Sequence, residues 1–171
     1  MSTAKPVNAV SFVAKSGTGK TTLLEKLIIE LRSRGYRVGA FKAISHLFEI
    51  DQSGKDSYRM AAAGAEATLI CSAEKLAFVS THSEKPQIND LLIQYFQDVD
   101  IVLVEGYKRG PLPKIELARQ EQQEQLLCCS NGYDPSYIAV ASDTQLDLDI
   151  PVLDLNDPVV VCDFLIDFFH I

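Results

Sequence analysis

The chain has 171 residues, with 16 Lys and Arg against 23 Asp and Glu, a formal net charge of −7 and 47% hydrophobic residues. That length suits one α/β domain with a sizeable core, and the acidic balance lacks the basic footprint of a nucleic-acid binder. No apolar run approaches the ~20 residues of a membrane span, and residues 1–7 lack the apolar core and cleavage site of a leader, so the reading is a soluble, cytoplasmic protein without a membrane partner.

No Pro/Gly/Ser linker divides residues 1–171, which read as a single domain. The four cysteines, Cys71, Cys128, Cys129 and Cys162, show no C-x-x-C spacing and no paired histidines. Neither a zinc site nor a disulfide framework is indicated, and buried free thiols are expected.

In chain order, the apolar run Ala9 to Val13 reads as a strand. It leads into Ala14-Lys-Ser-Gly-Thr-Gly-Lys-Thr-Thr22, and a helical pattern follows from Lys20 to Arg34. Strand, glycine-bearing loop and helix N-terminus form a P-loop: backbone N–H groups turn inward and the helix end adds partial positive charge. Ser16, Gly17, Thr18, Gly19, Lys20, Thr21 and Thr22 are the phosphate-binding candidates. Lys20 would reach the outer phosphates and Thr21 would sit on a magnesium ion. Ala14 replaces the first glycine of the G-x-x-x-x-G-K-[ST] pattern, a change tolerable wherever φ is negative. Leu23, Leu24, Leu27, Ile28 and Leu31 share one helix face, and Gly35 suits the C′ position.

Arg37 to Ala43 reads as a second strand, and the polar segment Ser45 to Lys55 reads as a switch loop. A short helix from Asp56 to Ala63 has Asp56 or Ser57 as its cap; Asp56 is also a candidate magnesium or water ligand. Ala67 to Cys71 and Leu76 to Ser80 are short strands. Ile88, Leu91, Leu92, Tyr95 and Phe96 lie at helical spacing. The run Asp100-Ile-Val-Leu-Val-Glu-Gly-Tyr107 has four consecutive apolar residues and an acid at its end, the Walker B arrangement of a buried parallel strand. Glu105 would hold magnesium, Gly106 would give the backbone room near the γ-phosphate, and Lys108 or Arg109 would meet negative charge.

After Pro111 and Pro113, Lys114 to Ala118 alternates polar and apolar residues as a half-buried or edge strand does, and such an edge would pair with another copy. Arg119 to Tyr137 gives no clear signal. Ile138 to Asp143 is a buried strand ending in Ser142 and Asp143, and Asp143 is the candidate acceptor for the guanine N1–H and N2 amine, a pair of donors that adenine lacks. Asp154 and Asn156, after the short strand at Val152 and Leu153, compete for the base pocket. Asp157 as N-cap and Pro158 at N1 open a closing helix through Phe169.

The segments Ser16 to Leu23, Gly54 to Ser57, Val102 to Lys108, Pro113 to Glu116 and Ala139 to Asp143, in that order, resemble the MobB family of molybdopterin-guanine dinucleotide biosynthesis proteins. The resemblance spans most of the chain and implies a three-layer α/β P-loop NTPase fold, with a mostly parallel sheet flanked by helices. It also implies a homodimer that binds GTP with Mg2+, hydrolyses it slowly if at all, and assists MobA, the nucleotidyltransferase that joins GMP to molybdopterin. A contact with molybdopterin itself stays open. The family's His-rich run after the second strand is reduced here to His46, and Lys15 takes the place of the extra lysine in deviant P-loops that reach a partner's nucleotide.

For hydrolysis, Lys20, Asp56 and Glu105 are the catalytic candidates, and Thr21, Asp56 and Glu105 the metal-binding ones. No residue stands out as the group that orients water. A small P-loop kinase and a metallochaperone GTPase remain as alternatives, against which stand the lack of an Arg-rich lid and of a cluster of soft ligands.

Overall fold

The computed structural model describes residues 6–46, 48–120, 126–130 and 134–171. In chain order the elements are β1 (Ala9–Val13), α1 (Lys20–Ser33), β2 (Val38–Lys42), α2 (Asp56–Ala62), β3 (Ala67–Cys71), β4 (Leu76–Ser80), α3 (Ile88–Tyr95), β5 (Ile101–Glu105), β6 (Lys114–Ala118), α4 (Leu127–Ser130), β7 (Tyr137–Ser142), β8 (Val152–Asp154) and α5 (Pro158–Phe169). Six strands form one sheet in the order β2-β5-β1-β6-β7-β8, and β3 and β4 form a separate two-stranded ribbon. Every pairing in the large sheet is parallel. The chain therefore leaves β1 in the middle of the sheet, where the order switches and ligands collect beyond the strand ends.

The contacts divide the chain into two compact units. One comprises Met1–Ala43 with Leu91–Ile171, and the other Ile44–Asp90. The large unit holds the core. Val10, Phe12, Ile101, Leu103, Ile115, Leu117, Ala139 and Ala141 from the strands meet Leu23, Leu24, Leu27 and Leu31 of α1, with Val161, Cys162 and Leu165 of α5. Alternation along each strand aims one set of side chains at these helices. Full burial of residues such as Leu27 and Leu31 contributes about 1.5–3 kcal/mol each. Gly35, at φ 93°, donates its N–H to Arg32, and Tyr36 donates to Leu31, closing α1 as the sequence suggests. Asp157 Oδ1 accepts from the Val159 N–H at 2.9 Å and Pro158 opens α5. Glycine at position 39 reflects packing, because a Cβ there would lie 2.5 Å from the Phe96 ring.

Three expectations need correction. Lys114–Ala118 is not an edge: β6 lies between β1 and β7 and is buried along its whole length. Its polar side chains find partners inside. Lys114 Nζ donates to the Gly110 carbonyl at 2.9 Å and to the Ser136 hydroxyl. The Glu116 carboxylate accepts the N–H groups of Leu127 and Cys128 at 2.7 and 2.9 Å. The thiols are free, but only Cys162 is buried; Cys71 and Cys129 are exposed and Cys128 is intermediate. Finally, α2 begins at Asp56 itself, so Lys55 is the N-cap, without a side-chain cap bond, and the Asp56 carboxylate pairs with Arg59 at 3.5 Å.

In the smaller unit the ribbon is antiparallel, with Ala67 opposite Ser80 and Cys71 opposite Leu76, and Leu69, Ile70, Leu76 and Phe78 are exposed on it. Among the described residues no helix is long and apolar enough to cross a membrane.

Candidate functional site

β1 delivers the chain into the loop with Val13 and Ala14 buried. Gly17 and Gly19 take φ of 80° and 92°, the left-handed region that glycine enters without strain. Thr18 is buried, and its hydroxyl donates to the Lys15 carbonyl at 2.8 Å, an acceptor shared with Lys20 Nζ at 3.2 Å. Gly19 is the N-cap of α1 and no side chain caps that end of the 14-residue helix, whose first N–H groups have no acceptor within the helix.

Register places the acid. Phe12 of β1 and Lys42 of β2 both lie opposite Glu105 at the end of β5. The Thr21 hydroxyl stands 3.3 and 3.2 Å from the two Glu105 oxygens, so the two residues expected to share magnesium are neighbours. Lys42 Nζ is 3.7 Å from Glu105. Burial lowers the pKa of Lys20, the Glu105 charge opposes that shift, and Lys108 and Lys42 reinforce it. Lys20 thus feels one carboxylate, Glu105, and two further ammonium groups, Lys108 and Lys42, an excess of positive charge near the loop. Gly106 follows at φ 84°, its N–H donating to the Phe12 carbonyl at 3.0 Å.

A cleft of about 470 Å³ opens at the ends of β7 and β8, lined among others by Ser142, Asp143, Asp154 and Asn156. The rivals for base recognition therefore share one hollow. Ser142 Oγ accepts the Thr144 N–H at 3.1 Å, and Asp154 Oδ1 accepts the Asn156 N–H at 2.8 Å. Asp143 Oδ1 accepts the Gln120 N–H at 2.9 Å, and Oδ2 pairs with Arg119 at 3.2 Å. A hollow of about 370 Å³ at the opposite end of the sheet is lined by Asn8, Arg37 and Asp100, and its charges are spent on an ion pair.

The larger unit gathers Ser16, Gly17, Thr18, Gly19, Lys20, Thr21, Thr22, Glu105, Gly106, Ser142 and Asp143 at the C-terminal ends of the strands. Asp56 and His46 lie in the smaller unit, both exposed. The Cys128 and Cys129 sulfurs are 3.5 Å apart, and among the described residues no group of three or more His, Cys, Asp or Glu is arranged to hold a metal ion. Sequence reading missed Lys42, whose signal was its place as the last residue of a strand, and Arg119, which gave no signal at all.

Magnesium fits the residues present. A Thr hydroxyl beside a carboxylate, at the N-terminus of a helix, offers the hard oxygen donors this ion takes.

The family model for molybdopterin guanine dinucleotide synthesis protein B (MobB) matches residues 9–143. Over 157 residues the chain is 41% identical to the molybdopterin-guanine dinucleotide biosynthesis adapter protein of Haemophilus influenzae, covering 91% of this chain and 85% of that one. It is 39% identical over 170 residues to the adapter protein of the same description from Escherichia coli, covering 94% and 93%. Among solved structures, molybdopterin-guanine biosynthesis protein B superposes with a TM-score of 0.74 at 26% identity, over 94% of this chain and 99% of that one. The MobB homolog from Bacillus stearothermophilus gives 0.70 at 26% identity, over 96% and 99%. The match runs from the first residue of β1 to Asp143, and the chain belongs to the MobB family.

Proposed function

We propose that this protein is an adapter of molybdopterin-guanine dinucleotide biosynthesis that binds Mg-GTP at its P-loop, hydrolyses it weakly and assists the MobA nucleotidyltransferase. The adapter role comes from the names its relatives carry. The observation that supports the nucleotide reading is the contact of Thr21 with Glu105 at 3.2 Å, set against Lys20 and an uncapped helix N-terminus.

Lys20 and the loop amides would hold the β- and γ-phosphates, with Lys42 and Lys108 adding positive field, while Asp143 would take the guanine edge. Thr21 and Glu105 would hold magnesium, which when bound supplies charge neutralisation on the phosphates. Glu105 is engaged by Thr21 and Lys42, which makes it a poor base for water. Asp56 pairs with Arg59. Slow hydrolysis is the expected consequence, as positioning acts without a committed base.

The exposed apolar ribbon supports a homodimer. An isolated two-stranded ribbon is marginal in water, and Leu69, Leu76 and Phe78 on it lie open to solvent. A cytoplasmic location follows from the same reading, since GTP and the reducing state of four free thiols belong there.

Calorimetric titration with GTP and with ATP, each with magnesium, tests the reading, beside Lys20→Ala and light scattering. Tight GTP binding, weak ATP binding, loss in the variant and a mass twice the 18.9 kDa chain are expected. Equal affinity for the two nucleotides would sink the guanine pocket, and a monomer would sink the dimer.

A further inference from the structure

Pairing of β6 with β7 sets Ala118 opposite Ser142, so the residues that follow, Arg119 and Asp143, emerge side by side. Arg119 reaches in two directions from there. Its Nε donates to the Thr18 carbonyl of the phosphate loop at 3.0 Å, and its Nη1 donates to Asp143 Oδ2 at 3.2 Å. Nη2 also stays against the loop, since a Cβ on Gly19 would stand 3.4 Å from it. One guanidinium thus joins the anion loop to the cleft where a base would sit.

The chemistry of each end matters. A trans peptide holds its C=O and N–H in opposite directions, so drawing the Thr18 carbonyl toward Arg119 turns the Gly19 N–H away from it. A loop that receives phosphate needs N–H groups facing the anion and carbonyls facing elsewhere. At the other end, a carboxylate has about four lone-pair sites. Arg119 and the Gln120 N–H use two of those on Asp143, which leaves two, the number that the N1–H and N2 amine of guanine require. The guanidinium is planar with its donors in a fixed fork, so Nε and Nη1 move together.

We infer that Arg119 is a positioning residue that couples occupation of the base cleft at Asp143 to the conformation of the phosphate loop. Guanine and triphosphate then bind cooperatively. This rests on the proposed reading of Asp143 as the guanine contact and of the loop as the triphosphate cradle.

The test measures affinities for Mg-GTP, Mg-ATP and inorganic tripolyphosphate with magnesium. The proteins are the wild type, Arg119→Ala, Arg119→Lys, Asp143→Asn and the Arg119→Ala, Asp143→Asn double variant, each checked by thermal melt for folding. Arg119→Ala is expected to weaken tripolyphosphate about fivefold and to shrink the GTP-to-ATP preference by a similar factor. Arg119→Lys keeps the charge but loses the fork, and restores neither. The loss of GTP affinity caused by Asp143→Asn becomes smaller when Arg119 is already Ala. A structural role alone would lower both nucleotides by one factor and leave the penalties multiplicative. If the wild type prefers GTP while Arg119→Ala leaves tripolyphosphate and the preference unchanged, or the penalties multiply, the coupling is overturned and the nucleotide reading survives. If the wild type shows no preference for GTP, the reading of Asp143 falls and takes the coupling with it.

Discussion

β5 and β6 both hydrogen-bond to β1, are five residues long, and carry a glutamate, yet they are stabilised in different ways. β5 buries Ile101, Val102, Leu103 and Val104 and keeps its acid, Glu105, at the rim. β6 buries Ile115 and Leu117 together with Lys114 at 1% and Glu116 at 3% exposure. Position in the sheet decides burial, and polar groups survive there only if each finds a partner. Among the described residues no buried side-chain nitrogen or oxygen lacks one. The partners of Lys114 are the Gly110 carbonyl, the Ser136 hydroxyl and the Asp134 carboxylate at 3.8 Å, and those of Glu116 are the Leu127 and Cys128 N–H groups, so the polar side chains of β6 tie it to residues on both sides of it in the chain.

If that contrast holds, the two glutamates have opposite phenotypes. Glu116→Ala leaves the Leu127 and Cys128 N–H groups without their acceptor in a buried site. A loss of about 3 kcal/mol is expected, seen as a fall in melting temperature of roughly 6–12 °C by calorimetry. A melting temperature like that of the wild type would show that water replaces the carboxylate and that β6 is not held as described. Glu105→Gln is the converse, with little change in melting temperature but a GTP affinity in magnesium lower by about tenfold. In EDTA the same variant binds GTP as well as the wild type or better, because an anion has left the neighbourhood of the phosphates. Equal losses with and without magnesium would mean that Glu105 shapes the loop rather than the metal site.

The same contrast explains what could be read from the sequence. β1, the loop, α1 and β5 were legible because hydrophobic period, glycine spacing and a terminal acid all agree there. α5 was legible from Asp157 and Pro158. The sequence of β6 misled because alternation signals one wet face, and nothing local announces that Lys114 will meet Gly110 and Ser136, the latter 22 residues away. Arg119 was unreadable for the same reason: its role depends on contacts with Thr18 and Asp143, which are 101 and 24 residues distant. The exposed ribbon at β3 and β4 was found as strands, but apolar content alone did not reveal that both faces stay open.

Smaller effects sharpen the picture further. The Ser136 hydroxyl and N–H hold the Asp134 carboxylate below its ordinary pKa, and burial opposes this weakly. A depressed folded-state value stabilises the protein above the unfolded pKa of about 3.9, and that stabilisation is lost as pH falls through the folded value. Asp134→Asn should therefore unfold less steeply between about pH 4 and the acid limit in a urea series, whereas an unchanged acid slope would remove Asp134 from the account. Burial pushes the Cys162 thiol up to about 12. Brief alkylation at about pH 8 followed by mass spectrometry should label the exposed Cys71 and Cys129 and spare Cys162 in the native protein. Labelling of Cys162 as fast as the others would mean that α5 opens readily from the sheet.

The smallest effect comes from the two-pronged ion pair of Arg37 with Asp100. Arg37 Nη2 lies 3.0 Å from Asp100 Oδ1, where β2 and β5 begin, but the Arg37 side chain is 64% exposed. Solvent screens such a pair, and ordering a long side chain offsets much of the attraction. Arg37→Ala also keeps the shorter bond, from the Arg37 backbone N–H to Asp100 Oδ2 at 2.7 Å, which fixes the strand start without the guanidinium. The melting temperature should therefore stay within about 2 °C of the wild type. A fall as large as that from Glu116→Ala would show that register at the sheet edge depends on charge. The difference between β5 and β6 would then lie in their ends rather than in what their middles bury.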